Sequence, residues 1–82
     1  MDREIEVTNK TEKLMVIFLN TTPEGPHVIP GNMSRCCNLN HVSKIDFDGG
    51  SITQLDLDGL VDQESINAFN LQNQNLISIK LV

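Results

Sequence analysis

At 82 residues the chain has room for one core, because a chain this short buries only about 60–65 % of the surface it exposes when unfolded. An apolar content of 39 % with a net charge of -5 excludes a disordered chain, and six Lys and Arg with no aromatic beside a basic cluster exclude a nucleic-acid binder. Only Phe18, Phe47 and Phe69 are aromatic, so Ile, Leu, Val and Met must fill the interior.

The start, Met1-Asp2-Arg3-Glu4-Ile5-Glu6, is charged and has no apolar h-region, and the longest apolar run is six residues, too short to cross a bilayer. The expectation is a cytoplasmic protein without membrane contact. Residues 4–9 alternate apolar with polar and place Ile5 and Val7 on one face of a strand. After the turn-like Asn9-Lys10-Thr11-Glu12, the run Leu14-Met15-Val16-Ile17-Phe18-Leu19 is apolar on both faces and reads as a central strand covered on both sides.

Residues 20–26 contain two prolines and a glycine and form a loop. His27-Val28-Ile29 is a short edge strand stopped by Pro30-Gly31, a pair suited to the centre of a type II turn. Residues 33–39 form a further strand, with Met33, Arg35, Cys37 and Leu39 on one side and Ser34, Cys36 and Asn38 on the other.

Four apolar-x-apolar triplets follow: Ile45-Asp46-Phe47, Leu55-Asp56-Leu57, Phe69-Asn70-Leu71 and Ile79-Lys80-Leu81, with starts spaced ten, fourteen and ten residues. Each has period two, so each reads as a short strand, and Asp48-Gly49-Gly50 and Asp58-Gly59 read as hairpin turns. A competing short helix over residues 62–69, capped by Asp62, is opposed by the poor helix formers Asn67, Asn70, Asn73 and Asn75. The fold expected is a single all-β domain over residues 1–82, an antiparallel sandwich or open barrel of about six to eight short strands.

Aligning Gly59 with the sixth position of a calcium loop puts Asp56, Asp58 and Asp62 at ligand positions three, five and nine, and over twelve residues the segment resembles an EF-hand or dockerin-type loop. The first and twelfth positions hold Gln54 and Ser65, and strand-like residues precede the loop where those families have a helix. A weak calcium site on Asp56, Asp58 and Asp62 is therefore the alternative reading, and no other cofactor is expected. Cys36 and Cys37 are adjacent and point to opposite faces of a strand, so they do not bond to each other, and with His27 and His41 they lack zinc-ligand spacing.

A catalytic set could nominally use Cys37, His41 and Asp46, but no glycine-rich phosphate loop or nucleophile motif accompanies them, and so small a core rarely provides a cleft of about 300 Å3. No enzyme is expected. Three Asn-x-Ser/Thr triplets, at Asn9, Asn20 and Asn32, are chance in an Asn-rich chain.

What remains is recognition through a surface. Asp46, Asp48, Asp56, Asp58, Asp62 and Glu64 are concentrated in one third of the chain and suit a basic target. The C-terminal strand carries apolar residues on both faces, so Ile79 and Leu81 are candidate contacts at a sheet edge. The expectation is a small acidic interaction module, an adaptor, inhibitor or assembly subunit, acting through a sheet surface or edge on another protein or on a copy of itself as a homo-oligomer.

Overall fold

The computed structural model describes residues 3–20 and 25–82, so part of the expected 20–26 loop lies outside the described residues. Among them, seven strands form two antiparallel sheets. Strands β1 (Glu4–Asn9), β4 (Ser34–Asn38) and β7 (Ile77–Leu81) make a three-stranded sheet in the order β4-β1-β7. Strands β2 (Met15–Leu19), β3 (His27–Ile29), β5 (Val42–Phe47) and β6 (Gly50–Ile52) make a four-stranded sheet in the order β3-β2-β5-β6. The arrangement is a small sandwich; the sheets do not close into a barrel.

Alternation decides which residues fill it. Ile5 and Val7 of β1, Ile77 and Ile79 of β7, Met15 and Ile17 of β2, Ile29 of β3, Ile45 of β5 and Ile52 of β6 all point into one continuous core. Each such side chain, fully buried, contributes about 1.5–3 kcal/mol. Val16 and Phe18 point the other way and are only half-buried. The expectation of a doubly covered β2 is thus corrected, because nothing among the described residues lies over the outer face of its sheet, and Leu14 precedes the strand and is exposed.

Two triplets read as strands are helical. Leu55-Asp56-Leu57 lies in α1 (Gln54–Asp58), because Thr53 and Asp56 form a capping box: the Asp56 carboxylate accepts from the Thr53 N–H and hydroxyl at 3.1 and 3.0 Å. Leu57 is then buried and Leu55 faces water. Gly59 ends this helix with ordinary right-handed dihedrals, so Asp58-Gly59 is a helix end and not a hairpin turn. Phe69-Asn70-Leu71 lies in α2 (Gln63–Gln72), where Asp62 caps Ser65 and the i, i+3 pair Ile66 and Phe69 is buried. Burial of that pair outweighs the low propensity of the asparagines, and two of those asparagines bond back into the fold.

The other turn at Asp48-Gly49 is a hairpin between β5 and β6, with Gly49 supplying the positive φ of 96°. The turn after β3 is displaced by one residue from the expected one. Met33 N–H donates to the Pro30 carbonyl at 3.1 Å, so Gly31 and Asn32 are central and Asn32 takes the positive φ. Gly31 is needed for a different reason: a Cβ there would meet the Glu12 backbone at 2.6 Å.

That close approach is organised by Asn9, the one fully buried polar side chain among the described residues. Its Nδ2 donates to the carbonyls of Lys13, Ile29 and Pro30 at 2.6, 3.0 and 3.3 Å, and its Oδ1 accepts from the Thr11 N–H and hydroxyl at 2.9 and 2.8 Å. One carboxamide therefore ties the β1–β2 loop to the β3–β4 turn, and so one sheet to the other. Replacing Asn9 with Ala strands these buried groups, and Asn9→Ala should lower the unfolding free energy by about 2–4 kcal/mol in a urea titration at unchanged m-value.

Candidate interaction surfaces

Sheets meet partners by faces or by edges, and the register fixes what each edge offers. Residues 4, 6, 8 and 10 of the β1 region bond to β7, as the Val82 N–H to Glu4 carbonyl bond and the Lys10 N–H to Leu76 carbonyl bond show. The peptide groups of Ile77, Ile79 and Leu81 therefore point away from the sheet. Two of these three are covered. The Asn70 side chain of α2 accepts from the Ile79 N–H and donates to the Ile79 carbonyl, both at 2.8 Å, and the Ile77 N–H donates to the Asn73 carbonyl. A carboxamide stands in for the next strand. Ile79 itself is in the core and leaves the list of surface contacts, while Leu81 is 38 % exposed.

The opposite edge of the same sheet is β4. The Asn9 N–H to Met33 carbonyl bond and the Leu39 N–H to Arg3 carbonyl bond place Arg35 and Cys37 in the hydrogen-bonded pairs with β1. Ser34, Cys36 and Asn38 therefore turn their peptide groups outward. Ser34 and Cys36 are exposed, and Cys37 is buried, as opposite faces of one strand require.

The acidic residues divide into two groups. Asp46, on the outer face of β5, lies 3.6 Å from Lys44, and Asp48 lies 3.7 Å from Lys13. Lys44 also sits 5.0 Å from the centre of the Phe18 ring on this face. Asp56, Asp58, Asp62 and Glu64 are exposed on α1, α2 and the turn between them, with no ion pair among the described residues. Two of the four carboxylates are engaged in caps. Asp56 accepts from Thr53, and Asp62 accepts from the Ser65 N–H at 2.8 Å, which together with the Ser65 hydroxyl holds the Asp62 carboxyl below its ordinary range. No group of three or more His, Cys, Asp or Glu among the described residues is arranged to hold a metal.

Beside this acidic end is a cleft of about 400 Å3, larger than expected for so small a core. The buried side chains of Ile52, Leu60 and Phe69 line it together with Asp56, Gln72 and Asn73. It forms where α1 and α2 cross the end of β6, an arrangement that two strands in their place would not make. Arg3, the cation nearest this region in the hydrogen-bond network, is committed to the Leu60 carbonyl and Asn40 Oδ1.

The nominal catalytic set is dispersed. Cys37 faces the core from the three-stranded sheet, Asp46 faces out from the four-stranded sheet, and His41 is exposed in a 3-10 turn over Leu39–His41. Burial, with the charge of Glu4 next, pushes the Cys37 thiol up to about 11. Asn9 is buried and its triplet is no glycan acceptor in the folded state, while Thr21 and Thr22 of the second triplet lie outside the described residues. Comparison with protein-family models, with curated proteins and with solved structures finds no match for this chain. The class it belongs to is thus the one its own fold defines, a small two-sheet β-sandwich with a helical end.

Three measurements follow from this geometry. Asn70→Ala, which uncovers the Ile79 peptide, should cost about 1–3 kcal/mol and speed aggregation, read by denaturant titration and light scattering. At pH 8 a thiol reagent should modify Cys36 alone, with Cys37 reacting only on unfolding. The folded state also holds the Cys37 proton above the ordinary thiol value of 9.0, at which an unfolded thiol loses it. This contribution to stability is complete below that pH and declines as the pH rises toward about 11, and Cys37→Val should remove the decline.

Proposed function

We propose that this protein is a non-enzymatic interaction module that presents its acidic helical end to a basic surface of a partner protein. The observation that carries the reading is the excess of negative charge at that end, four carboxylates against the one guanidinium of Arg3 on the Leu60 carbonyl. Between Lys44 and Lys80 the sequence has six acidic residues and no Lys or Arg, and the four of them on the helical end form no ion pair among the described residues. Such a surface attracts a cationic partner over about a Debye length, near 10 Å at 0.1 M salt, and speeds encounter more than it tightens binding. The adjoining cleft, with an apolar floor and a carboxylate at its side, suits the long stem and charged head of a basic anchor residue.

Asp58 and Glu64 test this without touching the caps, since no hydrogen bond among the described residues ties either side chain. A protein captured by the wild type should elute with salt and should be lost, or weakened about tenfold, with the double variant Asp58→Asn, Glu64→Gln. The readout is recovery by quantitative mass spectrometry, followed by affinity measurement with the purified partner. Equal binding by the variant and indifference to salt would refute the electrostatic reading.

A further inference from the structure

The sandwich has four sheet edges, and they are not equivalent. Strands β3 and β6 are three residues long. Strand β7 is covered by Asn70 and Asn73. Strand β4 is five residues long, and the outward peptide groups of Ser34 and Cys36 have no partner among the described residues. Its protection is limited to one charge, Arg35, since residues 34–38 contain no proline and no lysine and its register with β1 is unbroken.

The charge distribution says which occupant fits. The whole chain carries -5, so two copies repel in most orientations. From Gly25 to Ile45, however, there is no Asp or Glu, and β4 lies within this stretch. The carboxylates of α1 and α2 lie beyond the Asn38 end of β4, since the Arg3 side chain bonds both the Leu60 carbonyl between the helices and Asn40 Oδ1 just past the strand. An antiparallel contact along β4 points the two Asn38 ends in opposite directions. Copies meeting along β4 therefore keep their acidic ends apart. Arg35 is the single charged residue of the strand, and it lies on the face opposite Cys36.

We infer that the β4 edge pairs antiparallel with β4 of a second copy about a two-fold axis at Cys36, joining the two three-stranded sheets into one of six strands. In that register Ser34 faces Asn38 of the other copy and Cys36 faces itself. Ser34 and Cys36 use the peptide groups that are free and Asn38 its N–H, its carbonyl being held by the 3-10 turn, for up to about four backbone hydrogen bonds. The contact is small, so the dimer is weak, with Kd on the order of 100 µM.

Sedimentation equilibrium up to about 1 mM protein under reducing conditions tests the pairing in this concentration range. The wild type and Cys36→Ser should associate equally, because the serine keeps the peptide groups and removes the thiol. Cys36→Lys should remain monomeric. Its lysine faces Glu6 of β1 within one copy, which favours the fold, but faces another lysine across the axis. Cys36→Pro should also remain monomeric, since it deletes an outward N–H that the fold does not use, and circular dichroism of both variants should match the wild type. A wild type that stays monomeric to the highest concentration, or a folded Cys36→Lys that associates as the wild type does, overturns the inference. These outcomes are independent of whether Asp58 and Glu64 bind a basic partner.

Discussion

The two sheets of this protein are held in one relative position by the side chain of Asn9. A buried carboxamide has two donors and an acceptor with two lone pairs, and here both N–H directions and both lone-pair directions meet partners from loops on either side. Apolar contacts between sheets are tolerant of sliding, since Ile against Ile is favourable in several registers. Five directional hydrogen bonds from one residue are not. The tight approach of Gly31 to the Glu12 backbone belongs to the same arrangement, because the Asn9 bonds to Lys13, Ile29 and Pro30 and the Asn32 N–H to Thr11 carbonyl bond together join those two loops. The specificity of the sandwich thus rests on a polar group, while its stability rests on the aliphatic side chains around it.

The strands of the first half were legible because their burial is one-sided and their turns are marked by residues with few alternatives. Ile5 and Val7, Ile45 and the Asp48-Gly49 turn behave as period two and turn chemistry require. The Leu55 and Phe69 triplets misled because apolar residues two apart occur in helices too, and a three-residue window does not separate the periods. The spacing Thr53-x-x-Asp56 was a helix-start signal present in the sequence, and Asp62-x-x-Ser65 a similar one. Asp62 reads as a cap from the sequence, with its helix set against the strands; reading Thr53 as a cap too would find α1 and, with it, the cleft. Asn9 was legible only as a turn residue, since nothing local distinguishes a buried asparagine from an exposed one. The division of the acidic residues was likewise hidden, because Lys13 comes to Asp48 only through the fold.

The surface has a consistent logic once the edges and charges are placed together. The end that carries four exposed carboxylates is also the end where α2 closes the three-stranded sheet. The open edge lies across the sheet, in the acid-free part of the chain. Recognition by charge uses side chains of the helical end and recognition by backbone pairing uses the outward peptides of β4, so each can be altered by substitutions that leave the other intact. The partly covered row of Val16, Phe18 and Val28 on the four-stranded sheet is a third surface, moderated by the Lys44 and Asp46 pair beside it.

The carboxamide that covers β7 makes sheet closure a property of helix docking. Asn70 holds the Ile79 peptide only while α2 is seated, and α2 is ten residues long with two fully inward apolar side chains, so its local opening requires far less free energy than global unfolding. Each such excursion exposes a backbone edge flanked by the aliphatic residues of β7 while the rest of the sandwich is intact. The rate of aggregation should then follow the hydrogen-exchange kinetics of α2, and a ligand that seats the helix would act as a kinetic guard on the sheet without raising the melting temperature in proportion.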